Sequence, residues 1–321
     1  MAGSGSRSKD RVWASPSHES GSTATRSSSE PLSFEVPFTT AREAVLVVGR
    51  QRLHLRVWQP PKPRDTILML HGLESHGGWF APLGPRLARS GHRVVAIDRF
   101  GSGLSDGRRG DLPDWRLLTL ALQGAIQAFA EGKEIYCLGY SWGARWALAH
   151  AVAHPRDLSG LILMAPAFFV QRSYSRAARL FALATKELPL LLRMPVAEDT
   201  LLTNRPEGLA QIARDTLRLN SVTTRLLFQS GRMERIYTVP GKPLQMPVLH
   251  LVAGADRISD NTRNSTLLRR RVGADHYTET IYPAADHALM YAPDDCDVAG
   301  DINRWIQAIC DRAQPWSIRL F

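Results

Sequence analysis

Ser141 stands between two glycines in GYSWG (139–143), where an apolar run, EIYCLGY (134–140), gives way to a helical pattern, WGARWALAHAVA (142–153). A serine held on a tight strand-to-helix turn projects its hydroxyl at the edge of a sheet, with the positive end of a helix behind it. That placement suits nucleophilic attack on a carbonyl carbon. The small flanking residues fit the same reading, because such a turn forces the serine into unfavourable dihedrals and bulk on either side would clash. Three fixed positions in five recur by chance, however, and a loop serine between turn glycines is the plain alternative. Nucleophilic chemistry also requires a base, an acid that orients it and donors for the developing oxyanion.

The rest of the chain offers each of these. The base is expected in a loop after the last strand, and YTETIYPAADHALMY (277–291) places His287 there. The acid is expected just past an earlier strand, and VLHLVAGAD (248–256) ends in Asp256. Asp260, four residues on, competes with it but reads better as the cap of a following helix. Asp286 adjoins His287, and adjacent side chains do not converge easily on one hydrogen bond. For the oxyanion, the backbone N–H of Trp142 faces the same spot as Ser141. A second N–H, assigned to Leu73, follows the strand TILML (66–70) in LHGLESHGG (70–78). A plain glycine turn is the alternative reading of that loop. No carboxylate or thiol completes a metal site with His71 and His76 in the local sequence, so none is expected.

These residues need a scaffold. EAVLVVG (43–49) and RLHLRVWQ (52–59) read as an antiparallel hairpin around Gly49-Arg50-Gln51. After them strands and helices alternate: TILML, APLGPRLARSG (81–91), RVVAID (93–98), WRLLTLALQGAIQAFAEG (115–132), EIYCLGY, the helix opened by Trp142, and LSGLILMAP (158–166). Most of the strands are apolar throughout, the mark of a mostly parallel central sheet with helices on both faces, an α/β fold. The rhythm stops over 169–246, a helical stretch broken by prolines at 189, 195, 206, 240 and 243. It resumes with PVLHLVAG (247–254), a helix over 261–271, YTETIY (277–282) and a helix over 297–312. The chain therefore divides into a Ser/Gly-rich tail (1–36), a core (37–168 and 247–321) and a helical cap (169–246) over the sheet's carboxyl edge, where open α/β sheets bind ligands. The tail buries too little apolar surface to offset its ordering entropy, and disorder is expected of it.

Composition narrows the class. The chain has 321 residues, 44% hydrophobic, with a formal net charge of +10. Three cysteines without paired spacing favour a reducing compartment, and Cys137 reads as a small core residue. No apolar stretch reaches membrane-span length and no secretory or myristoylation signal opens the chain, so a cytoplasmic location with peripheral membrane contact is expected. Between 171 and 246 stand twelve Lys/Arg and six Asp/Glu, so this basic cap is the expected point of contact with an anionic surface. The run Arg269-Arg270-Arg271 has no interleaved aromatics and reads as a solvated helix face rather than a nucleic-acid site.

HGLESHGGWF (71–80), DRFGSGLSDG (98–107), GYSWGA, AEDTLLTNRPEGLAQIARDTL (197–217), GADRISD (254–260) and the loop around His287 together resemble the α/β-hydrolase superfamily. Within it they are similar to the monoacylglycerol lipase and lysophospholipase group, also described as serine aminopeptidase S33-like. The resemblance spans about 37–312. It implies an α/β-hydrolase fold and a Ser141–Asp256–His287 triad hydrolysing a carboxylic ester, of acylglycerol or lysophospholipid type, without metal or organic cofactor. An acyltransferase or aminopeptidase with the same triad, or a binding module without catalysis, are the alternatives. The chain departs from the family pattern at Glu74, at Trp142 and at Ala288, and the first two are expected to narrow the pocket. The segments LFALA (180–184) and LPLLL (188–192) either line an acyl tunnel or form the core of the cap.

Overall fold

A computed structural model describes residues 40–171, 175–185, 191–193, 199–293 and 295–313. The tail expected over 1–36 lies outside them, as do residues 188–190 of LPLLL. Among the described residues eight strands form one sheet in the order β1-β2-β4-β3-β5-β6-β9-β10. β1 (Arg42–Val48) and β2 (Gln51–Trp58) make the expected hairpin, with Val48 opposite Gln51, so the turn holds two residues rather than three. Gly49 takes φ 62°, a left-handed value that suits glycine there. β2 runs antiparallel to β4 (His92–Ile97). From β4 onward all pairings are parallel, through β3 (Asp65–Leu70), β5 (Ile135–Tyr140), β6 (Gly160–Met164), β9 (Val248–Ala253) and β10 (Tyr277–Tyr282).

Every residue of β3, β4, β5, β6 and β9 is buried, which is why those strands read as largely apolar runs. One face packs as a cluster around Leu68, Val95, Cys137, Leu161 and Val248; the other is built on Ile67, Val94, Leu138, Ile162 and Leu249. Side chains alternate along each strand, so the two clusters are interleaved in sequence. α1 (Gly84–Arg89), α2 (Arg116–Phe129), α3 (Gly143–Ala153) and, later in the chain, Asn261–Arg271 and Val298–Ala313 cover these faces.

Between β6 and β9 lies the insertion. It holds α4 (Arg176–Ala184), α5 (Asp199–Leu202), α6 (Pro206–Arg214) and α7 (Thr224–Thr238), after which Asn261–Arg271 is α8 and Val298–Ala313 is α9. The expectation of a purely helical segment missed a short antiparallel ribbon of β7 (Leu191–Arg193) and β8 (Ser221–Thr223). Three residues per strand are too few for a legible period. The insertion and the sheet belong to a single compact unit.

Candidate active site

The strand-to-helix turn comes first, because the sheet dictates it. Ser141 has φ 55°, the left-handed region that a side-chain-bearing residue enters at a cost of about 1–3 kcal/mol. Its N–H donates to the Met164 carbonyl at 3.0 Å, and its own carbonyl accepts from Ala144 at 3.2 Å and Ala167 at 3.1 Å. These bonds hold the strain in place. The flanking glycines are steric necessities. A methyl group on Gly139 would come 2.6 Å from the Ala144 Cα, and one on Gly143 would come 2.2 Å from the Leu70 carbonyl oxygen.

His287 reaches this turn from the loop after β10. Its Nε2 lies 2.8 Å from Ser141 Oγ and its Nδ1 lies 2.7 Å from Asp256 Oδ2. His287 is 1% exposed. Asp256 sits three residues past β9, and its other oxygen accepts from the N–H groups of Ile258 at 2.8 Å and Ser259 at 2.9 Å. Burial by itself would raise the Asp256 carboxyl. The facing His287 and these backbone donors outweigh it and hold the group below the usual carboxylate range. Asp256 therefore stays ionised beside the imidazole. The Tyr140 ring packs against His287 with centroids 5.4 Å apart, and burial keeps its phenol protonated.

The loop after β3 closes the site. A methyl group built on Gly72 would meet Tyr140 at 3.3 Å and Ser141 Cβ at 3.5 Å, so the His71–Leu73 backbone runs directly beside the serine. His71 is buried and accepts the Arg99 N–H at Nε2, 3.1 Å. Its Nδ1 therefore carries the proton and donates to the Gly72 carbonyl at 2.8 Å. Desolvation, with Arg99 adding to it, depresses His71 to about 3, so it is neutral. His76 is structural. Its Nδ1 accepts from Gly78 N–H at 3.1 Å, and its Nε2 meets Asp215 at 3.1 Å. Among the described residues no group of three or more His, Cys, Asp or Glu side chains could hold a metal ion.

The model of the family described as "Serine aminopeptidase, S33" matches residues 61–294, a span that includes β3, the Ser141 turn, Asp256 and His287. The chain belongs to this family. Its fold is the α/β-hydrolase fold. A monoacylglycerol lipase of Mycolicibacterium smegmatis is 24% identical over 281 residues, covering 84% of this chain and 98% of that one. A soluble variant of monoglyceride lipase from Saccharomyces cerevisiae, solved with a substrate analog, superposes with TM-score 0.75 at 18% identity, covering 87% and 99%. The monoacylglycerol lipase of Paleococcus ferrophilus gives TM-score 0.67 at 20% identity, covering 81% and 98%.

In this S33-family chain several other histidines and acids among the described residues serve the scaffold. Asp260 caps α8, accepting from Arg263 N–H at 3.1 Å. Asp286 accepts from Asn204 N–H at 2.8 Å, tying the His287 loop to the insertion. His250 lies in β9 against Tyr277 at 2.8 Å, and His92 is paired with Asp65 at 2.5 Å. His150 lies 3.2 Å from Asp157.

Two of the family departures make specific contacts with the insertion. Glu74 is one of them. Its carboxylate meets Arg218 at 3.0 Å, while its carbonyl accepts from Leu219 N–H at 2.8 Å, bracing the loop against the insertion. Trp142 is 5% exposed and donates its indole N–H to Ser230 Oγ on α7 at 3.1 Å. Leu180, Phe181 and Leu183 of LFALA are 66%, 47% and 51% exposed, so these three side chains do not form a core. The side chains of Leu191 and Leu192, in LPLLL, lie outside the described set. Sequence reasoning missed Arg99 and Arg218 as site-building residues, because arginines in irregular segments carry no periodic signal.

Proposed function

We propose that the chain is a serine hydrolase cleaving carboxylic esters through a Ser141–His287–Asp256 triad, with a lipid-like monoester of monoacylglycerol or lysophospholipid type as substrate. The single observation that supports it most is the imidazole spanning both partners, 2.8 Å to Ser141 Oγ and 2.7 Å to Asp256. Ser141 Oγ attacks the ester carbonyl as His287 Nε2 takes its proton. The tetrahedral intermediate then collapses with loss of the alcohol, which receives that proton, leaving an acyl-enzyme. Water, deprotonated by His287, attacks the acyl carbon, and the acid departs as Ser141 regains its proton. Asp256 fixes the imidazole tautomer and stabilises its charged form. The backbone N–H groups of Leu73 and Trp142 receive the oxyanion, each worth about 3 kcal/mol in the transition state. Neither N–H has a hydrogen-bond partner among the described residues, which leaves both available. No cofactor enters these steps.

The insertion over 169–246 acts as the cap in this reading, since its Ser230 and Arg218 bond to Trp142 and Glu74 on the loops beside Ser141. Exposed Leu180, Phe181 and Leu183, on a segment with a basic surplus, support peripheral contact with an anionic membrane. No helix among the described residues is long and apolar enough to cross a bilayer.

Labelling with a fluorophosphonate probe, followed by turnover of p-nitrophenyl esters of rising chain length, a monoacylglycerol and aminoacyl amides, tests the reading. Labelling of wild type but not Ser141→Ala, with ester turnover, is expected. Turnover of amides and of no ester overturns the ester assignment in favour of an aminopeptidase, and a folded wild-type protein that does not label overturns the triad itself.

A further inference from the structure

Arg99 directly follows Asp98 beyond the end of β4 and is 1% exposed. Its Nη1 donates to the Gly72 carbonyl at 3.0 Å and its Nη2 to the Leu73 carbonyl at 2.5 Å. The Gly72 carbonyl thus takes two donors, the guanidinium and His71 Nδ1–H. In a trans peptide the C=O and the N–H point to opposite sides. Gripping the Gly72 C=O therefore aims the Leu73 N–H, on the same peptide plane, away from Arg99. Gly72 itself packs beside Ser141. The guanidinium carbon also lies 5.0 Å from the Trp142 ring centroid, so Arg99 packs against the residue that carries the second N–H.

Among the described residues no carboxylate forms a hydrogen bond with the Arg99 guanidinium. The neighbouring Asp98 carboxylate is taken up by Gly77 N–H at 2.6 Å, Leu104 N–H at 2.9 Å, His54 at 3.1 Å and Arg56 at 3.2 Å. Burial, with the Arg109 charge adding to it and the Asp98 charge opposing, brings Arg99 down to about 9, so it remains a cation at neutral pH. A buried cation without a contacting carboxylate costs stability, and here that cost is set against its grip on the Gly72 and Leu73 carbonyls. A cation donating to one end of an amide polarises the other end, making its N–H a stronger donor.

We propose that Arg99 is the positioning residue of the oxyanion site, holding the Gly72–Leu73 peptide so that its N–H faces the carbonyl oxygen attacked by Ser141, and strengthening that N–H as a donor. The proposal rests on the triad reading above. Arg99 touches no reacting atom. It acts through the Leu73 peptide, and its effect grows as negative charge develops on the substrate oxygen, so it belongs to kcat and not to KM.

The test uses wild type, Ser141→Ala, Arg99→Met and Arg99→Lys of the full chain, with kcat and KM measured separately on the best p-nitrophenyl ester. Inhibition by a trifluoromethyl ketone, whose serine adduct carries an oxyanion, is measured alongside. Arg99→Met is expected to lower kcat about 100-fold, to leave KM within about threefold, and to weaken the ketone by the same factor as kcat/KM. Arg99→Lys, with one charged donor, is expected to recover part of the loss, at about tenfold below wild type, and it carries the test alone if the methionine variant does not fold. A folded variant with kcat near wild type overturns the proposal. So does a loss of kcat with ketone affinity unchanged, which marks Arg99 as structural only. Esterase activity persisting in Ser141→Ala overturns the triad reading instead, whatever Arg99 does.

Discussion

Glu74 Oε2 lies 3.0 Å from Nη2 of Arg218, and Nη1 of the same guanidinium lies 2.6 Å from Asp199. One arginine between α6 and β8 thereby ties the loop beside Ser141 to α5. The Glu74 and Arg218 side chains are only 11% and 10% exposed. Burial raises the Glu74 carboxyl, and the Arg218 charge opposes that rise. Arg218→Met leaves a buried carboxylate without this cation and is expected to cost about 3 kcal/mol. The double variant with Glu74→Gln is expected to recover much of it. Urea unfolding of the three proteins reads this directly; an Arg218→Met protein as stable as wild type would show that the brace carries no weight.

Asp256→Asn keeps the shape of the acid but removes its charge and alters the hydrogen bond to His287 Nδ1, now 2.7 Å. The imidazole is then free to present the wrong tautomer to Ser141. A loss of about 10⁴ in kcat with KM little changed is expected from steady-state kinetics. A drop of less than tenfold is incompatible with Asp256 as the orienting acid.

Two glycines should respond oppositely to alanine. At Gly143 the added methyl meets backbone at 2.2 Å, whereas at Gly231, midway along α7, nothing lies within 4 Å. Gly143→Ala is expected to destabilise by at least about 3 kcal/mol. Gly231→Ala is expected to stabilise by about 0.5–1 kcal/mol, because alanine loses less backbone entropy in a helix. Thermal melts of both variants check the contrast.

Acid should weaken the fold through its buried neutral histidines. Burial depresses His71 to about 3, and His150 and His250 each to about 4. In the unfolded chain these groups take up protons near 6.5. Between pH 6.5 and 4 the unfolded state therefore binds more protons than the folded one, so stability falls as pH falls, by up to about 1.4 kcal/mol per pH unit for each histidine. His250→Gln is expected to flatten the dependence of the urea midpoint on pH in that window. An unchanged slope would mean that His250 is not neutral in the folded protein.

The strands and the principal helices of the sheet were legible because burial on both faces and 3.6-residue spacing leave periodic marks. The short ribbon of β7 and β8 was not, since three residues make no period. The insertion's contacts were equally hidden: by composition LFALA reads as either acyl-tunnel lining or cap core, and only the structure shows Leu180, Phe181 and Leu183 exposed.

By itself, the sequence determined the α/β alternation, the strained turn at Ser141 and the candidates His287 and Asp256, because each lies just beyond a recognisable strand and local chemistry marks it. The tertiary structure decided the distances among them, the engagement of Glu74 with Arg218 and the grip of Arg99 on the loop at Leu73. Those relationships join residues 146, 144 and 26 positions apart. They arise only when parallel strands bring distant loops to one edge of the sheet, where direction and separation depend on the packing of the whole chain rather than on any local pattern.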